Sequence, residues 1–102
     1  IQYTNDGQQF FDQGELFMEL KAAKKYEYAL KSYEIALEIS PNEFYAPKCY
    51  EQMGKILKFK QQYAEAQKSF EKACHLYAFY DDVDNFTECE DLLREIKNKT
   101  KK

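Results

Sequence analysis

The residues that carry chemistry in many enzymes do not converge in this chain. The single histidine, His75, directly follows Cys74, and consecutive side chains on a helix point about 100° apart. A Cys–His nucleophile needs the imidazole within reach of the thiol. We therefore interpret His75 as a surface residue and Cys74 as a core residue. The three glycines are isolated from one another, so the sequence contains no glycine-rich phosphate-binding loop.

The cysteines and the acidic residues favour structural roles. Cys49, Cys74 and Cys89 form an odd set without the CxxC spacing of a zinc site. We expect all of them to be reduced and buried, as in a cytoplasmic protein. Glu51 lies four residues before Lys55, which is the spacing of an ion pair within one helix. The sequence predicts no catalytic residues, no metal site and no cofactor, and hence no enzyme.

Composition and charge narrow the class of protein further. Hydrophobic residues make up 44% and charged residues 32% of the chain, which indicates one globular domain over residues 1–102. The formal net charge of −3 disfavours nucleic-acid binding, which normally needs a basic surface. No apolar run is long enough to cross a membrane. The chain begins with Ile1 rather than methionine, so we expect it to be part of a longer protein.

An internal repeat organises the chain. A shift of 37 residues aligns identical residues, among them Leu20 with Leu57, Tyr26 with Tyr63, Ala29 with Ala66, and Ala36 with Ala73. Apolar residues recur at helical spacing within each unit, and polar breaks near 24–25 and 60–62 divide each unit into two helices. The sequence therefore predicts an all-α fold of about five helices. Two antiparallel hairpins, over about 10–43 and 47–80, stack as a short solenoid, and a capping helix over about 85–98 closes it.

Three details of these helices are predicted from the same patterns. The buried stripe of the first helix is expected to contain Phe10, Gln13, Leu16, Phe17 and Leu20. The four aligned alanines are expected between helices, with Tyr33 and Phe70 as their large partners. The last helix is predicted to start at Asn85, because Asn85 and Glu88 have the spacing of a capping box.

These small and aromatic residues resemble the tetratricopeptide repeat family. The matching residues are Leu16, Leu20, Tyr26, Ala29, Tyr33, Ala36 and Pro41 in the first unit, and Tyr50, Met53, Gly54, Leu57, Tyr63, Ala66, Phe70 and Ala73 in the second. The resemblance covers about residues 10–80 and implies stacked helix pairs with an open groove. The period of 37 exceeds the usual period of about 34, so we expect the third helix to be extended around 44–46. Phe17 takes a position that is small in the family, which predicts a splayed first hairpin, and Pro47 is expected to bend the third helix.

In this family the first helix of each hairpin lines the groove that holds a partner. The resemblance therefore implies a partner-binding groove lined by Phe11, Met18, Lys21, Lys48, Gln52, Lys55, Lys58, Phe59 and Asp91. Apolar side chains at one end and lysines in the middle favour a peptide with an apolar anchor and a carboxylate or phosphate. The alternative is that these lysines only solvate an exposed helix. The clamp with which some members bind heat-shock chaperones is not expected, because its positions hold Gly14, Met18, Gln52, Asp84 and Glu88.

The sequence thus predicts a cytoplasmic interaction module or scaffold that binds a peptide segment or helix of a partner protein. One alternative is a small cytoplasmic chaperone, such as a secretion-substrate chaperone. Another is a self-assembling, homodimeric structural domain of a larger protein, which is motivated by four aromatic residues expected on the surface. These residues are Tyr28, Tyr77, Phe79 and Tyr80. A non-catalytic domain of a larger enzyme is a further alternative.

Overall fold

Five helices account for most of the chain that the structure describes. The structure is a computed structural model, and it describes residues 6–20 and 23–100. The helices are α1 (Asp6–Leu20), α2 (Ala23–Ile39), α3 (Ala46–Phe59), α4 (Tyr63–Phe79) and α5 (Val83–Thr100). Each helix packs against the next one along the chain, and the short connections make consecutive helices antiparallel. The prediction of an all-α fold is confirmed.

Apolar side chains form two adjoining cores within a slab of 53 × 33 × 19 Å. The first core lies between α1, α2 and α3 around the buried ring of Tyr33. The second lies between α3, α4 and α5 around Phe70, and Tyr50 packs against both cores. The alanines that the repeat aligns are all fully buried, namely Ala29, Ala36, Ala66 and Ala73. Large rings and small residues therefore alternate at the helix contacts, as the sequence predicted.

In each hairpin an aromatic ring lies directly against a glycine. Tyr33 of α2 covers Gly14 of α1, where an added Cβ would lie 2.6 Å from the ring. Phe70 of α4 covers Gly54 of α3, again with 2.6 Å between an added Cβ and the ring. Side chains do not approach each other so closely, so these two positions require glycine and bring the paired helices together.

The first hairpin has a different register from the one predicted. The two glycines are 40 residues apart whereas the two rings are 37 apart, so the first hairpin holds three extra residues between glycine and ring. These residues extend the start of α2, which begins at Ala23, ahead of Tyr26. Tyr26 aligns with Tyr63, the first residue of α4. The extra residues at the start of α2 precede the repeat of 37, so they do not explain its length. α3 begins at Ala46, so Phe44 and Tyr45 lie in the connection before the third helix and do not extend it. Pro47 lies in the first turn of α3, where it interrupts no helical hydrogen bond.

This register turns part of the predicted stripe of α1 towards solvent. Leu16 and Leu20 are 57% and 53% exposed, so their assignment to the core is wrong, as is that of the exposed Gln13. Because Gly14 takes the small position, Phe17 does not separate the helices of the first hairpin. The residues of α1 that pack against the first core are Phe10, Phe11, Phe17 and Met18.

The ends of α3 and α4 share one backbone motif. Gln61 and Asp81, the second residues after these helices, have positive φ angles of 65° and 60°. Their N–H groups and those of the next residues donate hydrogen bonds to carbonyl oxygens of the last helical turn, which is the pattern of a Schellman cap.

After the second cap, α5 begins at Val83. Asp82 rather than Asn85 caps it, because Asp82 Oδ1 accepts a hydrogen bond from the backbone N–H of Asn85 at 3.4 Å.

The buried alanines allow a direct test of this packing. We expect Ala66→Leu to lower the free energy of unfolding by about 1–3 kcal/mol, because the extra carbons have no space between α3 and α4. Ala64→Leu is a matched control, since Ala64 lies on the same helix and is exposed. Urea unfolding of both variants measures the difference. Equal stabilities would contradict the placement of Ala66 in the helix contact.

Candidate functional site

Two hollows lie one after the other along the surface formed by α1 and α3. The larger, of about 560 Å³, is the aromatic hollow, and the smaller, of about 340 Å³, is the α1–α3 hollow. The aromatic hollow is lined by Phe11, Phe44, Tyr45, Pro47 and Lys48, and by Tyr77, Tyr80, Asp81, Asp82 and Asn85 from the end of α4 and the start of α5. The α1–α3 hollow is lined by Glu15, Met18, Glu19, Gln52 and Lys55.

The two hollows are aligned along α1 and α3, and we call them together the groove. Phe11 and Glu15 lie one turn apart on α1, and Lys48 and Gln52 lie one turn apart on α3. Residues at this spacing share a face of their helix, and one member of each pair lines each hollow. A ligand extended along α1 and α3 would therefore contact both hollows.

A half-buried carboxylate fixes the walls of the α1–α3 hollow. Glu15 Oε1 accepts a hydrogen bond from Tyr33 Oη at 2.6 Å and another from Gln52 Nε2 at 2.7 Å. These two bonds join α1 to α2 and to α3. Burial, and next the bond to Glu15, raise the pKa of Tyr33 well above its usual value, so its hydroxyl remains a donor.

A second carboxylate lies beneath the aromatic hollow. Glu51 is fully buried and accepts a hydrogen bond from Tyr77 Oη at 2.6 Å. Lys55 Nζ lies 3.8 Å from the other carboxylate oxygen of Glu51. Burial, and next the bond to Glu51, raise the pKa of Tyr77 well above its usual value. Tyr77 is thus a buried support of the groove, and its predicted place among the exposed aromatic residues is wrong.

Two of the lysines predicted to line the groove are already paired with carboxylates. Lys55 lies beside the buried Glu51, and Lys58 Nζ lies 3.0 Å from Glu95 Oε1 of α5. A ligand carboxylate at either ammonium group would have to compete with these pairs. Lys55 is thus paired within α3, and Lys58 joins α3 to α5.

The charged residues that line the groove are mainly acidic. In the aromatic hollow, Lys48 shares the wall with Asp81 and Asp82. In the α1–α3 hollow, Glu15 and Glu19 share the wall with the paired Lys55. Carboxylates outnumber ammonium groups in both hollows, so the groove favours a cationic rather than an anionic group next to an apolar one.

Five of the nine residues predicted to bind a partner line the two hollows. They are Phe11, Met18, Lys48, Gln52 and Lys55. Lys58 is paired with α5, and the ring of Phe59 meets Tyr26 of α2 edge-on at 5.0 Å. Asp91 is exposed and pairs with Arg94 at 2.8 Å. Lys21 lies outside the described residues.

The sequence prediction missed the aromatic residues at the helix ends. Phe44, Tyr45 and Tyr80 line the aromatic hollow but lie outside the first helix of either hairpin. One signal in the sequence could have found them. The dipeptide Phe-Tyr occurs at 44–45 and again at 79–80, each time at a connection between helices where a structural role for two rings is not obvious.

The potentially reactive side chains lie in separate environments. Cys74 is buried and His75 is exposed, as predicted, and the three cysteines are free and buried. Burial, and next the charge of Glu15, raise the pKa of Cys49 to about 12, so the thiol stays protonated.

Within residues 6–20 and 23–100, no group of His, Cys, Asp and Glu is placed to hold a metal ion. None of the helices described is both long and apolar enough to cross a membrane.

Neither a protein-family model, a curated protein nor a solved structure matches the chain. The inference of function consequently rests on the geometry of the groove and on the residue pattern that resembles tetratricopeptide repeats.

The buried bond beneath the aromatic hollow can be tested by removing one oxygen atom. We expect Tyr77→Phe to lower the free energy of unfolding by about 2 kcal/mol, because the buried Glu51 loses a hydrogen-bond donor. Tyr80→Phe is the control. Its hydroxyl donates to the backbone oxygen of Asn42 at 2.8 Å in an exposed position, so the expected loss is below about 1 kcal/mol. Chemical unfolding compares the two, and equal losses would contradict the role of Tyr77.

Proposed function

We propose that this chain is a non-enzymatic interaction module that binds a peptide segment of a partner protein in the groove. The observation that carries the proposal is the aromatic hollow of about 560 Å³, which leaves Phe44 67% exposed at its wall. A hollow of several hundred Å³ that is lined by aromatic rings and a few polar groups is typical of a ligand-binding site.

The shape of the hollow is fixed before any ligand arrives. Phe44 meets Tyr45 edge-on at 5.5 Å, and the ring of Tyr45 stacks on Phe11 at 5.3 Å. The connection between α2 and α3 is also held to the end of α4 by the bond from Tyr80 Oη to the backbone oxygen of Asn42. A site that is ordered in advance loses little conformational entropy on binding, which favours recognition of a short segment.

Charge and ring geometry favour one kind of segment. An apolar side chain would fill the space between Phe11 and Phe44, and a neighbouring lysine or arginine would meet Asp81 and Asp82. This preference is opposite to the anionic ligand expected from the sequence, because Lys55 and Lys58 are paired. The groove would then act in the manner of a tetratricopeptide-like scaffold, with a cytoplasmic location favoured by the three free thiols.

Self-association is a second candidate function, and two exposed apolar residues support it. Phe79 and Val83 are 75% and 67% exposed where α4 ends and α5 begins. Two exposed apolar residues so close in sequence favour contact with another protein surface. Light scattering over a wide range of protein concentration tests this candidate, since a strict monomer would exclude it.

Peptide selection tests the main proposal. Random peptides displayed on phage are selected against the wild-type chain, and the affinity of the selected peptides is then measured by calorimetry. We expect the peptides to contain an aromatic or aliphatic residue next to lysine or arginine. Phe44→Ala should weaken their binding about tenfold or more, because it removes an exposed ring at the wall of the hollow.

Phe79→Ala is the matched control for this selection. Phe79 is as exposed as Phe44 and also meets the following tyrosine edge-on, at 5.2 Å, yet it does not line the hollow. Its substitution should change the affinity by less than about twofold. Equal losses in the two variants, or a selection that yields no peptide, would contradict binding in the groove.

A further inference from the structure

A third hollow, of about 500 Å³, lies along α4 and is separate from the groove. Its apolar lining, which we call the floor, consists of Pro41 after α2, Tyr50 of α3 and Leu76 of α4. Tyr50 and Leu76 also pack against the first core, which fixes their positions. We call this feature the α4 hollow.

The α4 hollow and the groove lie on opposite sides of α4. Lys68 lines the α4 hollow, and Tyr77 lies nine residues further along, beneath the groove. Nine residues make two and a half helical turns at about 3.6 residues per turn, so the two side chains point in opposite directions. Among the described residues, no lining residue belongs to both the α4 hollow and the groove. The two sites approach each other at the connection after α2, where Tyr80 of the groove donates its hydroxyl to the backbone oxygen of Asn42, which lines the α4 hollow.

The rim of the α4 hollow is basic. Lys68, Lys72 and His75 follow one another on successive turns of α4. Within residues 6–20 and 23–100, none of the ion pairs includes Lys68 or Lys72. Glu71 also lines the hollow, and its carboxylate accepts a hydrogen bond from Gln67 Nε2 at 3.1 Å.

Tyr50 connects the basic rim to the apolar floor. Lys72 Nζ lies over the ring of Tyr50, 5.5 Å from its centroid. This contact holds one ammonium group above an apolar surface, where a ligand carboxylate would be partly removed from water. An apolar side chain entering beside Tyr50 and a carboxylate at Lys72 would thus strengthen each other's binding.

We propose that the α4 hollow is a second binding site, and that its ligand is an acidic peptide segment of a partner protein. A leucine or phenylalanine of the segment would pack on Tyr50 and Leu76, and neighbouring aspartate or glutamate side chains would meet Lys68 and Lys72. Carboxylates predominate at the groove and lysines at the α4 hollow. The two sites therefore select segments of opposite charge, and the chain joins two segments rather than holding one.

Nuclear magnetic resonance with two capped peptides tests this site. The probes are Asp-Glu-Leu-Phe-Asp and its basic counterpart Lys-Lys-Leu-Phe-Lys, each added to the isotope-labelled chain. We expect the acidic peptide to shift the amide signals of Tyr50, Lys72 and Leu76 with a Kd of about 1 mM or lower. The substitution of Lys68→Glu together with Lys72→Glu should weaken this binding about tenfold.

The matched control is Lys31→Glu together with Lys97→Glu. These two exposed helix lysines lie outside the α4 hollow, and the variant has the same net charge as the test variant. Its affinity for the acidic peptide should fall less than about twofold, because these substitutions change only the long-range electrostatic attraction between the chain and the peptide. Equal losses in the two variants would overturn the assignment of Lys68 and Lys72.

Three other outcomes would overturn the proposal. In the first case, the acidic peptide shifts the signals of Phe11 and Phe44 instead, which would place it in the groove. In a second case, no signal shifts up to several millimolar peptide. In a third, the signals of Tyr50 and Leu76 shift with protein concentration alone, which would make a second copy of the chain the occupant. Binding of the acidic peptide by the Phe44→Ala variant keeps this test independent of the groove.

Discussion

Tyr33 on Gly14 and Phe70 on Gly54 set the distance between the paired helices, because a side chain at either glycine would meet the ring at 2.6 Å. Each hairpin is thereby held at one point that tolerates no larger residue. The fully buried alanines continue the close contact along α2 and α4. With both hairpins fixed in this way, the exposed faces of α1 and α3 lie side by side and form the groove.

The same arrangement explains how charge is distributed over the surface. Glu15 and Glu51 accept hydrogen bonds from Tyr33 and Tyr77, so each hairpin places a tyrosine from its second helix against a carboxylate of its first. Glu51 in turn pairs with Lys55, and Lys58 pairs with Glu95 of α5. Few lysines of α3 are then left to attract an anion, whereas α4 presents its lysines on the opposite side.

The sequence predicted the features that depend on local spacing, and missed those that depend on contacts between helices. The aligned alanines, Tyr33 and Phe70 were placed correctly, because the period of 37 residues is carried by α2 and α4. The register of α1 was missed, since the three extra residues lie between α1 and that repeat. The pairing of Lys58 with Glu95 joins different helices, so no periodicity within one helix could indicate it.

The contact between glycine and ring is tested most directly by the free energy of unfolding of Gly54→Ala, Phe70→Leu and the double variant. In an ordinary helix interior, replacing glycine with alanine stabilises by about 0.5–1 kcal/mol. Here we expect Gly54→Ala to destabilise by about 1–3 kcal/mol, because its Cβ would displace the ring of Phe70. The double variant should lose at least about 0.5 kcal/mol less than the two single losses combined, since leucine can yield to the new methyl group. A stabilising Gly54→Ala, or strictly additive losses, would contradict the account.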